Sequence, residues 1–165
     1  MQAWTSFYSV MGAAAATLIG LLFVAVSINA STALKKGPDG SRRIAEQAFE
    51  NYLAVLAVSL LALMPDVSLT SFGRITLALT ASWSVWVLVR FYQAASEPSV
   101  HETRFTAIRR HLPTLIGFGL LISSAGQMGL FGAEARTTLG AASMVLLFSA
   151  TERAWTLFTR LAGAK

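Results

Sequence analysis

Five charged residues in or beside apolar stretches are the strongest candidates for chemistry in this chain of 165 residues. Glu46 and Glu50 are four residues apart, so on a helix they share one face and repel each other unless a cation intervenes. Such a pair could act as a cation filter. The alternative is a layer of salt bridges, in which acids and arginines from three helices cancel and fix the helix register. This predicted inner-interface charged cluster comprises Glu46, Glu50, Arg90, Glu152 and Arg153.

The other reactive side chains form no recognisable catalytic or metal site. The chain has no cysteine, which excludes disulfides, thiolate metal ligands and cysteine nucleophiles. Its two histidines, His101 and His111, are ten residues apart and lack the companions that a zinc site needs. The sequence contains no Walker loop, dinucleotide-binding glycine pattern, nucleophile elbow or metalloprotease helix motif. We therefore expect a protein that is not an enzyme and that uses neither a cofactor nor a metal.

The composition indicates a membrane protein. Hydrophobic residues make up 55% of the chain and charged residues only 13%, about half the charged share of a typical soluble domain. The net charge is +5, but the cations fall in short segments between apolar stretches, as in membrane proteins. We therefore expect the lipid bilayer, and not nucleic acid, to be the partner of these cations.

A membrane span needs about 20 apolar residues, and five such spans are predicted. Their bounds are about 7–30, 47–64, 70–92, 113–131 and 137–158, in one transmembrane domain that covers residues 1–165. The first is predicted to be an uncleaved helix, because no lysine or arginine precedes it as in a signal peptide. Pro113 is predicted in the first turn of the fourth span, where its missing N–H has no cost.

The fifth predicted span is apolar only from Thr137 to Thr151, a length of about 22 Å. This is short for a hydrocarbon core of about 30 Å. Glu152 and Arg153 are therefore predicted to mark the inner edge of the bilayer. The residues "AWTLF" that follow are predicted to form an interfacial turn.

The distribution of basic residues predicts the orientation. Of 13 lysines and arginines, only Arg74 and Arg136 fall on one side of the five predicted spans, and the others fall on the opposite side. Cytoplasmic segments carry such an excess of positive charge. The amino terminus is therefore predicted outside and the carboxyl terminus in the cytoplasm.

The segment between the third and fourth spans is predicted to contain a short amphipathic helix on the inner membrane surface. It opens with "SVHE" at residues 99–102, a pattern typical of a helix capping box. Phe105, Ile108 and Leu112 follow at helical spacing, with arginines between them. This helix is predicted to lead into the fourth span.

Two sets of small or polar residues follow helical periodicity. Small residues let membrane helices approach closely, so one set is predicted to form packing or oligomer faces: Gly12, Ala16, Gly20, Gly119 and Ser123.

The second set is a stripe of hydroxyl groups on the third span, formed by Thr76, Thr80 and Ser84. These hydroxyls could line a hydrated path across the membrane. More often, hydroxyls in such positions bond to carbonyl groups of their own helix four residues back.

The first span resembles the opening of a group of small, multi-span bacterial membrane proteins with no settled activity. The stretch "WTSFYSVMGAAAATLIGLLFVAVSIN", Trp4–Asn29, has their Trp-x-x-Phe-Tyr entry, their glycine- and alanine-rich middle and their "GLLFVAxS" exit. The later "SLLALMP", Ser59–Pro65, is similar to their second span. The resemblance implies a bacterial inner-membrane location. It implies no activity and no functional residue.

Together these features predict an all-α, five-helix transmembrane bundle that is not an enzyme. It is expected to act through assembly, either as a homo-oligomer or as a small accessory subunit of a larger membrane complex. The alternative is a homo-oligomeric ion channel or transporter, with Glu46 and Glu50 as a cytoplasmic cation filter. The apolar middle of most spans argues against a transporter that works as a single chain.

Overall fold

The computed structural model describes residues 2–29, 41–96, 104–131 and 135–163. All regular secondary structure in these ranges is α-helical, which confirms the predicted all-α class with five helices. The helices are α1 Gln2–Ile28, α2 Ser41–Ala62, α3 Leu69–Ser96, α4 Arg104–Phe131 and α5 Arg136–Gly163.

Among the described residues, three helical segments are long and apolar enough to cross a membrane. They are Trp4–Ile28, Ser41–Ala62 and Leu112–Phe131, with mean hydropathies of 2.2, 1.2 and 1.4. A segment of 20 to 25 residues rises about 30 to 37 Å, which matches the thickness of the hydrocarbon core. These segments correspond to the first, second and fourth predicted spans. The third and fifth predicted spans lie on α3 and α5, and their passage through the membrane stays a prediction.

Helix α4 is longer than the sequence pattern indicates. Pro113 was expected in a first turn, but it lies inside α4, which already begins at Arg104. The expected surface helix and the fourth span are therefore one continuous helix within the described residues. A proline removes only one helical hydrogen bond, and helices in membranes tolerate this when neighbouring groups satisfy the freed carbonyl. The expected capping box at residues 99–102 lies outside the described residues.

Helix α5 also continues beyond its predicted end. It runs through Glu152 and Arg153 to Gly163, so the expected interfacial turn after Thr151 is replaced by three further turns of helix. Its 28 residues correspond to a length of about 42 Å. Charged residues in the middle of a helix do not break its backbone hydrogen bonds, and hydropathy alone therefore does not locate the end of this helix.

The chain divides into two compact units. The first comprises Met1–Leu63 and Leu146–Lys165, and the second comprises Met64–Val145. The division falls within α5, so the second half of this helix belongs to the first unit.

The core of the first unit is formed by α1, α2 and the second half of α5. The side chains that α2 buries recur every three or four residues, as expected for a helix that packs with one face. Gly12 allows α1 to approach α2 closely. A Cβ atom at Gly12 would lie only 3.2 Å from the Cβ of Ser59. One buried cluster joins the three helices through Leu22, Ile44, Ala45, Ala48, Tyr52, Ala150 and Leu157.

The second unit depends on a close crossing of α3 and α4 at Gly73 and Gly129. A Cβ atom at Gly73 would lie 2.7 Å from the carbonyl carbon of Met128, and one at Gly129 would lie 2.8 Å from the backbone nitrogen of Arg74. Arg74 also donates from Nε to the carbonyl oxygen of Gly129 at 3.2 Å. That carbonyl is in the last turn of α4, where acceptors lack partners in their own helix.

Substitution of Gly73 by alanine should destabilise the protein, because the added methyl group would overlap the α4 backbone. Overpacking of this kind typically lowers the free energy of unfolding by about 1–3 kcal/mol. Gly126→Ala is the matched control, since a Cβ there would meet no atom of the described residues within 4 Å, and it should be neutral or slightly stabilising. Thermal unfolding in detergent measures both. Equal melting temperatures for the two variants would contradict the close crossing.

Candidate functional site

The predicted inner-interface charged cluster is partly explained by one ion pair on α2. Arg42 Nε lies 2.8 Å from Glu46 Oε1, one helical turn away. The cation that accompanies Glu46 therefore comes from its own helix. An exposed pair with this spacing contributes only about 0.3–0.5 kcal/mol. This ion pair is a contact within one helix, and the cation filter stays a prediction.

The neighbouring residues Glu152 and Arg153 have opposite environments. Successive residues on a helix point about 100° apart, and this separates the two side chains. Glu152 is exposed, whereas Arg153 is only 5% exposed. The expected acid–base pair at the membrane edge therefore consists of one surface carboxylate and one buried guanidinium.

Two neutral polar side chains, Gln47 on α2 and Ser149 on α5, bind the guanidinium group of Arg153. Its Nη1 donates to Oε1 of Gln47 on α2, and its Nε lies 3.5 Å from the hydroxyl of Ser149, one turn earlier on α5. A buried charge is tolerated only when hydrogen bonds replace its lost hydration. Gln47 and Ser149 contribute to that replacement.

Two further contacts extend this hydrogen-bonded row along the same pair of helices. Asn51 Nδ2 lies 3.5 Å from Ser149 Oγ, and the Tyr52 hydroxyl donates to Thr151 Oγ1 at 3.1 Å. Thr151 in turn donates to the carbonyl oxygen of Leu147 at 2.9 Å. We call this row the polar seam. It comprises Gln47, Asn51, Tyr52, Ser149, Thr151 and Arg153.

The polar seam was not predicted, although its spacing is visible in the sequence. Gln47 and Asn51 are four residues apart on α2, and Ser149 and Arg153 are four residues apart on α5. Residues four apart share one helical face, so the two pairs match when the helices run antiparallel. Of these four residues, only Arg153 was predicted as a site residue, because it is the one that carries a charge.

The two remaining members of the predicted cluster, Glu50 and Arg90, lie in different units of the chain. Glu50 is half-buried on α2. Arg90 lies on α3, in the other unit, and its side chain is outside the described part of the structure. The joint cluster of five charged residues therefore stays a prediction.

The predicted small-residue faces contain one internal contact and several open positions. Gly12 is buried against α2, whereas Ala16 is exposed. A Cβ atom at Gly20 or at Gly119 would meet no other atom within 4 Å. Ser123 is exposed and accepts a weak hydrogen bond from Gln127 at 3.4 Å. Most of this predicted surface is thus unoccupied within the described chain.

Two of the three hydroxyl groups in the stripe on α3 donate hydrogen bonds to carbonyl oxygens of their own helix. Thr80 Oγ1 donates to the carbonyl oxygen of Thr76 at 2.7 Å, and Ser84 Oγ donates to that of Thr80 at the same distance. Thr76 differs, because its side chain is fully buried and its Oγ1 has no hydrogen-bond partner among the described residues. The alternative in which the hydroxyls bond to carbonyl groups of their own helix therefore holds for Thr80 and Ser84.

The described residues contain no group of three or more histidine, cysteine, aspartate or glutamate side chains that could hold a metal ion. Comparison of the chain with protein families, with curated proteins and with solved structures finds no match in any of the three. The polar seam and the open glycine positions are thus the features from which a function must be inferred.

Substitution of Gln47 by leucine should destabilise the protein, because it removes a hydrogen-bond acceptor from the buried guanidinium of Arg153. Hydrogen bonds to charged groups contribute about 1.5–3 kcal/mol, and a loss of that size is expected in unfolding experiments in detergent. Gln127→Leu, on an exposed position of α4, is the matched control and should change stability by less than about 0.5 kcal/mol.

A Gln47→Glu variant provides the complementary measurement. It retains the acceptor and adds a charge opposite to that of Arg153, so it should keep most of the stability that Gln47→Leu loses. If Gln47→Leu unfolds like the wild type, the contact between Gln47 and Arg153 does not hold the two helices together.

Proposed function

We propose that this protein is a non-enzymatic integral protein of the bacterial inner membrane that acts through assembly. It forms a homo-oligomer or serves as a small accessory subunit of a larger membrane complex. Its amino terminus lies outside and its carboxyl terminus in the cytoplasm. The observation that supports assembly most directly is that a Cβ atom added at Gly20 or Gly119, both inside helices, would meet no atom of the described residues within 4 Å.

The occurrence of glycine at positions 20 and 119 needs a physical explanation. Glycine in a helix interior is about 1 kcal/mol less favourable than alanine. At Gly73 and Gly129 the close crossing of two backbones accounts for glycine. For Gly20 and Gly119 the described residues provide no such neighbour, so an approach by a helix from another chain would account for them in the same way.

Contact with lipid accounts for the exposed apolar side chains of α1 but not for Gly20. Exposed apolar side chains such as Phe23, which is 68% exposed, are expected to contact acyl chains. Acyl chains are fluid and fill any groove, so they do not require a missing side chain. A rigid partner helix does. The exposed surface formed by Ala16 and Gly20 is therefore the proposed contact with another subunit.

Gly20→Leu should reduce the size of the native complex, because the larger side chain would block the approach of a partner helix. The chain itself has space for this side chain, so the melting temperature of the separated subunit should not fall. Size-exclusion chromatography in mild detergent measures the change. Val10→Leu, an exposed apolar substitution elsewhere on α1, is the control and should migrate like the wild type. Unchanged migration of Gly20→Leu would argue against this surface as a contact.

A homo-oligomeric ion channel or transporter is the second candidate. One observation favours it, namely that the buried hydroxyl of Thr76 has no hydrogen-bond partner within the described part of the chain. Water in a hydrated path along Thr76, Thr80 and Ser84 would satisfy this hydroxyl. Glu46 and Glu50 would then form the cation filter at the cytoplasmic end.

Glu50→Gln tests the channel hypothesis, because it removes one negative charge from the proposed filter with little change in volume. In a channel, this variant should pass cations at a different rate from the wild type in liposomes, while its oligomer size stays the same. A purified wild-type protein that passes no ions in the same assay would exclude the channel hypothesis.

A further inference from the structure

Glu152 lies at the centre of an exposed apolar face of α5. Phe148, four residues before it, is 74% exposed, and Trp155, three residues after it, is 70% exposed. Glu152 itself is exposed, and spacings of three and four residues keep the three side chains on one side of the helix. We call this surface the Glu152 face. It comprises Phe148, Glu152 and Trp155.

The carboxylate of Glu152 has no hydrogen bond or ion pair within the described part of the chain. The residues three and four positions away on α5 are Phe148, Ser149, Trp155 and Thr156, none of which is basic. The arginine that follows Glu152 is buried in the polar seam. The described residues therefore supply no positive charge to this carboxylate.

The polar seam determines the depth of Glu152 relative to α2. Arg153, the next residue, donates to Gln47 on α2, so Glu152 lies at about the level of Gln47. Gln47 is six residues after the start of Ser41–Ala62, a segment long and apolar enough to cross a membrane. At 1.5 Å per residue, Glu152 lies about 9 Å inside the start of that segment.

Acyl chains are suitable neighbours for the two aromatic side chains of the Glu152 face but not for its carboxylate. A charged group at such a depth is costly unless a second charge or a hydrogen-bonding group accompanies it. Lysine and arginine can extend to the headgroups from this depth, whereas the side chain of glutamate is shorter. A second copy that packs through the same face about a two-fold axis would bring two carboxylates together, and like charges repel.

We propose that the Glu152 face binds a membrane helix of a different protein, and that this helix presents a lysine or arginine opposite Glu152. The basic side chain would neutralise the carboxylate, and Phe148 and Trp155 would pack against the helix on either side of the ion pair. Exclusion of water strengthens such a pair. This inference rests on the proposed function, because it names the chemistry of the partner that an accessory subunit would require.

A synthetic membrane-spanning helix of leucine and alanine, with one lysine at the depth of Glu152, is the probe for this proposal. Energy transfer between labelled peptide and labelled full-length protein in phosphatidylcholine liposomes measures association. The wild type should bind the lysine peptide about tenfold more tightly than a peptide with glutamine in its place. Glu152→Gln should remove this preference, and Glu152→Asp should keep most of it. Asp66→Asn, which changes an exposed carboxylate in the turn after α2, should bind like the wild type.

Three results would overturn the proposal. Equal binding of the two peptides by the wild type would show that the carboxylate is not available to a partner, and this result needs no variant. A preference that persists in Glu152→Gln would assign the contact to another surface. Loss of self-association by Glu152→Gln in liposomes without peptide would assign the Glu152 face to a second copy. A native complex of unchanged size beside any of these results would leave the proposed assembly intact.

Discussion

Burial of the Arg153 guanidinium is the constraint on which the first unit depends. A charge removed from water needs hydrogen-bond partners in fixed positions, and Gln47 and Ser149 are among those that Arg153 finds. A shift of α5 by one residue along α2 would turn these partners away from the guanidinium, because successive side chains point about 100° apart. The polar seam thus selects one register, whereas the apolar cluster beside it would tolerate several.

In the second unit, the close approach of two helix backbones determines how α3 and α4 pack. Gly73 and Gly129 allow α3 and α4 to approach so closely that a methyl group on either would overlap the other helix. In lipid, where apolar side chains gain little by association, such close packing is the main source of attraction between helices. The same reasoning distinguishes these two glycines from Gly20 and Gly119, where an added Cβ would meet no atom of the described residues within 4 Å. Their proposed reason is a helix from another chain.

Hydropathy and residue spacing were sufficient to predict five helices, because each helix carries a long apolar stretch. They did not predict the ends of α4 and α5, since Pro113 and Glu152 interrupt the apolar pattern without interrupting the helix. The close approach of Gly73 and Gly129 was missed, because one sequence does not reveal which helices are neighbours. The sequence predicted that a cation would relieve the repulsion between Glu46 and Glu50. It did not identify Arg42 as that cation.

The molar mass of the protein in mild detergent, measured by light scattering with identification of co-purifying chains, tests the central claim of assembly most directly. The chain has a mass of 17.6 kDa. Our account predicts a protein mass that is a multiple of this value, or a complex that contains a second membrane protein in fixed ratio. A homogeneous, lipid-bound particle with the mass of one chain would contradict it.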